Sequence, residues 1–424
     1  GGAVFLAMLL LAPAAGRAQI TQIIDATGDG TSSLGVGSAV ATDGAGNTFV
    51  SGFASDRVFK ITPGGAITRI IDSSGDGTNV LDGVEELATD GSGNVFAAGG
   101  FSDNVFKITP GGAITEIIDS TGDGTNPLDR AFDVATDGSG NVFVSGSLSQ
   151  NVFRITPGGT ITQIIDATGD GTNGLAIATG IATDGSGNVF VCGFSTNNAF
   201  KITPGGVITQ IIDATGDGTN GLSGANSVGT DASGNVFVGG YLSSNVFKIT
   251  PGGTITQIID STGDGTDPLS TVDGSVATDA AGNVFVAGRE SSNVFKSTPG
   301  GTITQIIDST GDGANSLNKP LDVATDALGN LFVAGGFGNN AFKIALAPPV
   351  VSQTIRGQSL LVRDASLGAD PRKRSVKALA RERGSGATVV GDPTVTGATL
   401  RIIANGANPT SQTFVLPAAF WKKS

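Results

Sequence analysis

Seven times the chain repeats a hexad of the form Asp-x-Thr/Ser-Gly-Asp-Gly. Its two aspartates fall at Asp25 and Asp29, Asp72 and Asp76, Asp119 and Asp123, Asp166 and Asp170, Asp213 and Asp217, Asp260 and Asp264, and Asp308 and Asp312. Oxygen donors at relative positions 1, 3 and 5 with glycine at 6 reproduce the first half of an EF-hand-type calcium loop. The bidentate glutamate expected at position 12 is missing, and the third copy has Arg130 there. A weak, partly hydrated calcium site is one reading, and calcium is the one cofactor the sequence suggests. A glycine-rich loop whose aspartates cap their own turns is the other.

A second set of candidates is charged and breaks the repeat. Glu85, Glu86, Arg130 and Lys319 stand in or just after the segments that carry the hexads, and Arg57, Asp103, Arg289 and Glu290 stand in another loop of the unit. Such departures single out a place for binding, because loops held by a rigid scaffold carry recognition. Neutral drift at exposed loops gives the same pattern. Of these residues, Glu85, Glu86, Arg130, Arg289, Glu290 and Lys319 form the expected ligand-binding face.

Much familiar catalysis is closed. With no histidine, there is no Ser-His-Asp or Cys-His triad, no histidine zinc site and no imidazole acid–base chemistry. A single cysteine excludes an intramolecular disulfide framework and thiolate metal clusters. Cys192 replaces a small residue of the other repeats and reads as core. No catalytic residue is assigned, and the expectation is a non-enzyme.

The elements that position these residues come from the repeat itself. The second aspartate of the hexad recurs at spacings of 47 residues five times and then 48. Such a period, filled with short strands, marks propeller blades. In the third unit the strands are expected at 132–136 (a), 141–145 (b), 151–155 (c) and 160–165 (d), joined by tight Gly-rich turns except for the long d–a loop carrying the hexad. The chain opens on a lone d strand at 20–24 and closes on a, b and c at 322–344. This offset predicts an all-β, seven-bladed propeller closed by its N-terminal strand, so that no edge is left open. Strands alternate in direction, so d–a and b–c loops share one face. Two phenylalanines per unit, such as Phe143 and Phe153, are expected as wedges between blades. A Lys or Arg recurring on strand c (Lys60, Lys107, Arg154, Lys201, Lys248, Lys296, Lys343) reads as a snorkelling stem or a structural ion pair.

The run VATDGSGNVFVSG…NVFRITPGG resembles the NHL repeat and the streptogramin-lyase-like propellers, over about residues 20–344. The resemblance implies the same fold. The histidine and divalent cation of the streptogramin-type lyases find no histidine here to match. Gluconolactonase-like relatives hold a metal with carboxylates and Asn at the central channel, and their ligands do not map onto single positions of this chain.

The ends differ from the repeats. Residues 3–12 are apolar and followed by small residues, a pattern that predicts a signal peptide over 1–18 with its true start upstream. It is too short for a membrane span, which needs ~20 residues. The propeller is expected over 19–345, an Ala-Pro-Pro linker over 346–350, and a small basic β-rich module, read as truncated, over 351–424. That module faintly resembles a C-terminal module of secreted bacterial proteins. Residues 1–350 carry 33 acidic and 13 basic side chains against 4 and 11 in residues 351–424. The acidic ring argues against a nucleic-acid partner.

Together these features predict a secreted, periplasmic or cell-surface monomer. It would be a non-catalytic propeller offering a binding or scaffold surface to an extracellular protein, glycan or small molecule. The alternative is a metal-dependent lactonase- or lyase-like enzyme with carboxylate ligands. Unlike Asp, Asn and Glu side chains converging on the channel would favour the enzyme; a like-for-like ring would favour binding.

Overall fold

The computed structural model describes residues 8–9, 19–274, 276–346, 355–364, 374–380, 398–404 and 410–416. Two compact units divide the chain: Gln19–Leu346 is one, and Gly1–Ala18 with Ala347–Ser424 is the other.

Gln19–Leu346 is a ring of seven four-stranded antiparallel sheets. Blade 3 is representative, with Ala131–Thr136 (a), Val142–Gly146 (b), Asn151–Ile155 (c) and Ile161–Ile165 (d). Closure is as the offset predicts. Gln19–Ile24 pairs antiparallel with Asn340–Ala345 and completes blade 7. Strand b is buried along its whole length, because it lies mid-sheet and is covered by a neighbouring blade on each face. The phenylalanine wedges occupy these interfaces. Phe96 of blade 2 shares a cluster with Val134, Val144 and Phe153 of blade 3, and both rings are at most 2% exposed. Burying each such ring is worth ~1.5–3 kcal/mol. The strand-c basic stems lie across strand-b rings, as with Lys107 over Phe96 and Lys343 over Phe332. Cys192 is a buried core residue whose thiol desolvation pushes up.

At one end of the channel the ring is symmetric. The last residue of each strand a is threonine, and its hydroxyl donates to the carbonyl of the preceding blade's threonine. Thr42 bonds Thr325, Thr89 bonds Thr42, and so on through Thr136, Thr183, Thr230, Thr278 and Thr325, at 2.7–2.9 Å. Seven bonds return to their starting point.

The hexads form two successive Asx turns. In the loop leading into blade 3, Asp119 Oδ1 accepts the N–H and hydroxyl of Thr121, and Asp123 Oδ1 accepts the N–H groups of Thr125 and Asn126. A bulge in strand d leaves the Gln163 N–H without a ladder partner, and Asp123 Oδ2 accepts it at 3.3 Å. Gly122 (φ +61°) must be glycine, since a Cβ there would lie 2.0 Å from the Asn126 carbonyl oxygen and 2.9 Å from Phe153 Cζ. Hydrogen bonding in these turns lowers the Asp123, Asp170 and Asp217 carboxyls to about 2.

In the other unit, Met8–Leu9 pairs with Ile355–Asp364, which pairs with Arg374–Ala380; Ala398–Ala404 pairs with Thr410–Leu416. The expected cleavage point after Ala18 and the Ala-Pro-Pro linker lie outside the described residues. Among the described residues, no helix is long and apolar enough to cross a membrane.

Candidate functional site at the channel mouth

Strand a lines the channel, and its end opposite the threonine ring carries the asymmetry. Its second residue is Ser38, Glu85, Phe132, Thr179, Asn226, Asp273 and Leu321 in blades 1 to 7. Its third residue is Ala39, Glu86, Asp133, Gly180 and Ser227 in blades 1 to 5 and Asp322 in blade 7. In blade 6, one residue longer, the strand is reduced to Ala277–Thr278, and Val272 keeps a single bridge to Gly288. A cavity of about 710 Å³ opens here, lined by most of these second residues, by Glu86 and Asp133, and by loop side chains. That volume suits one small organic molecule.

Two ion pairs frame the opening, each joining neighbouring blades or loops. Arg130 Nη2 lies 2.6 Å from Glu85 Oε1, with its guanidinium over the Phe101 ring. Arg289 Nη1 lies 3.1 Å from Asp273 Oδ2 and donates to the Tyr241 hydroxyl at 3.1 Å. Asn226 Nδ2 donates to the other Asp273 oxygen. A third pair, Lys319 with Glu290 at 2.8 Å, sits on the rim beside Arg289, with Lys319 over Phe337. Burial raises the Glu85 and Asp273 carboxyls, while Arg130 and Arg289 oppose the shift.

Beneath the pairs lies a carboxyl trio. Asp133 Oδ1 accepts its neighbour Val134's N–H and its Oδ2 accepts the Ile181 N–H of blade 4, both at 2.6 Å. Asp322 does the same with Val323 and, across the closing seam, with Val40 of blade 1, both at 2.8 Å. Glu86 accepts the Leu87 N–H. Asp133 and Asp322 staple blade to blade, while the lumen still reaches the half-buried Glu86 and Asp133. Desolvation holds the Asp133 carboxyl at about 7. It also raises Glu86, reinforced by the charges of Asp322 and Asp133. Among the described residues, no group of three or more His, Cys, Asp or Glu side chains is arranged to hold a metal ion.

The mouth is also aromatic. Of the eight phenylalanines outside the wedge positions, Phe53, Phe101, Phe132, Phe194 and Phe337 gather here with Tyr241, the only tyrosine. Phe53 meets Phe101 edge-on at 5.4 Å, and Phe194 meets Tyr241 at 5.8 Å. The residue that ends the d–a loop has positive φ in blades 2 to 7; glycine serves at Gly83 and Gly224, but Arg130, Ile177, Thr271 and Lys319 hold φ of 58°, 55°, 59° and 48°. A β-branched residue such as Ile177 is uncommon in this region.

Of the residues singled out by sequence, Glu85, Glu86, Arg130 and Arg289 line the cavity, and Glu290 and Lys319 pair on its rim. Glu85 and Glu86 lie within strand a (Val84–Thr89), just after the loop that carries the hexad. The hexad aspartates lie elsewhere, bonded to the outermost strand d. Sequence reasoning missed Asp133, Asp273, Asp322, Ser227 and the aromatic mouth. The phenylalanines outside the wedge ladder were the available signal.

No protein-family model matches the chain, and no curated protein does. Solved structures match its fold. A streptogramin B lyase superposes with a TM-score of 0.61 at 13% identity, over 77% of this chain and 97% of the other. A catalytically inactive virginiamycin B lyase from Staphylococcus aureus with quinupristin gives 0.60 at 14%, over 78% and 100%. The WD40 repeats of RRP9 give 0.58 at 11%, over 80% and 100%. At such identities the likeness is one of fold, and the chain is a seven-bladed β-propeller of the architecture these proteins share.

Proposed function

We propose that this propeller is an exported, non-catalytic binding protein whose channel-mouth cavity takes a small organic molecule. The observation that carries the reading is the cavity's composition: unlike side chains from all seven blades meet in a space of about 710 Å³. At its floor Asp133 is engaged as a staple between blades, and the carboxyls at its rim are paired with arginine or lysine. The extracellular setting rests on the apolar run at residues 3–12. A thermal-shift screen of small organic molecules on the full chain tests the reading, with Ala54→Trp filling the mouth. Ala54 is exposed and lines the cavity, so the substitution need not disturb the blades. Hits that vanish in Ala54→Trp support the proposal; hits that persist in it place binding elsewhere.

A second reading is favoured by one observation, the convergence of unlike carboxyls on the channel. Asp133, held at about 7, is suited to general acid–base work in a chain without histidine. If the protein is an enzyme, Asp133→Asn removes turnover of a bound compound while leaving its affinity nearly intact. Calcium at the hexad loops is a separate proposal. Isothermal titration of the full chain tests it, and a stoichiometry near the number of loops would support it.

A further inference from the structure

Resting on the small-molecule reading, we propose that the ligand of the channel mouth is an organic cation with an apolar or aromatic body. Its positive end would sit over Glu86 and Asp133, and its body against the aromatic rim.

Charge accounting carries the argument. Among the described residues, four carboxyls and two guanidiniums line the cavity, and no lysine does. Arg130 and Arg289 are already committed to Glu85 and Asp273. Glu86 and Asp133 have no ion-pair partner among the described residues. Once Asp133 is ionised, above about pH 7, an anionic ligand would therefore meet excess negative charge, with both arginines occupied. A neutral ligand would cover two carboxyls and offer them nothing, which costs the desolvation of each. A cation turns the same two groups into its counter-charge.

The walls point the same way. Phe53, Phe194, Tyr241 and Phe337 line the opening. Rings over an acidic floor are a recognised way to hold an ammonium group, through its attraction to the π-face. Ser227 belongs to the same wall, 1% exposed, and among the described residues its hydroxyl, lying beside Gly239 of strand b, has no hydrogen-bond partner. Buried hydroxyls are ordinarily satisfied.

Binding would be linked to protons. The groups facing Asp133 are Glu86 and Asp322 from other blades and the neutral thiol of Cys192. A cation lowers the carboxyl pKa values, so protons leave on binding and affinity rises with pH towards neutrality.

The test uses the full chain and three matched probes: benzyltrimethylammonium, its neutral carbon isostere neopentylbenzene, and phenylacetate. Tyr241 emission reports occupancy from within the cavity. At about pH 8 the cation is expected to bind about tenfold or more tighter than the isostere, with phenylacetate weakest. At about pH 5, and in Glu86→Gln/Asp133→Asn at either pH, that preference should fall to threefold or less. Each amide keeps the shape and one of the two acceptor oxygens, and a circular-dichroism melt confirms that the variant folds. Equal affinity for cation and isostere, or a preference untouched by the double substitution, overturns the charge inference and leaves the pocket standing. A Tyr241 signal that no probe of any charge moves counts against the pocket itself.

Discussion

Asp322 of blade 7 accepts the backbone N–H of Val40 in blade 1 at 2.8 Å, a bond between residues 282 positions apart. It therefore locks the closing seam from inside the channel, while the N-terminal strand locks it from outside. Asp322→Ala strands two buried N–H groups and should lower stability by ~2 kcal/mol or more. Asp322→Asn, which keeps an acceptor, should cost much less. Urea melts of the two variants give the comparison, and equal losses would remove the staple role.

The pH dependence of stability has a definite sign. Asp133 and Glu86 have carboxyl pKa values raised in the folded state, so folding binds protons. For Asp133 the unfavourable contribution is absent below the unfolded pKa near 4 and grows until about pH 7, where it levels off; Glu86 acts in the same direction. The hexad aspartates act oppositely: lowered to about 2, they stabilise above the unfolded pKa and lose that contribution as pH falls through it. Melting temperature should peak near about pH 4–5 and decline towards neutrality. Asp133→Asn should flatten the decline, and no histidine is present to produce it instead.

Arg130 and Glu85 belong to loops and strands of adjacent blades and are 32% and 15% exposed in their side chains. A double-mutant cycle with Arg130→Ala and Glu85→Ala should return a coupling of about 1 kcal/mol, diminishing in high salt. Additive losses would mean that the contact carries no energy of its own.

Ile177→Gly relieves a left-handed backbone conformation costing ~1–2 kcal/mol for a side-chain-bearing residue. Gly's greater unfolded-state entropy offsets ~0.5–1 kcal/mol of this. Stability should stay level or rise by less than ~1 kcal/mol, and ligand affinity should fall, because Ile177 lines the cavity. A clear loss of stability would show that packing at the mouth outweighs the backbone.

The ring was legible because its causes are local and repeated: Gly-rich turns, Phe at fixed places in strands b and c, and a lone d strand at the start matched by an a–b–c set without one at the end. Glu85, Arg130 and Arg289 were legible as charges where the repeat has none. Their pairing was not, since Arg130 reaches Glu85 only through the angle at which one blade meets the next. Asp133 and Asp322 were hidden for a different reason. Aspartate is common in every unit, and only burial beside the axis separates these two from aspartates in surface turns. The hexads show a limit of spacing arguments. Oxygens two residues apart followed by glycine serve a calcium loop and a pair of Asx turns alike, because both require a carboxylate two positions before an N–H and a positive φ at glycine.

The threonine circuit has a consequence for how such a molecule can change. Every hydroxyl points the same way round, so the joint between the first and last blades is indistinguishable there from the other six. Four residues further back along the same strands, roughly 13 Å away, no two blades are alike. One short strand thus holds a hoop at one end and a palette at the other. Substitutions at the palette can be tried blade by blade while the hoop keeps the circle.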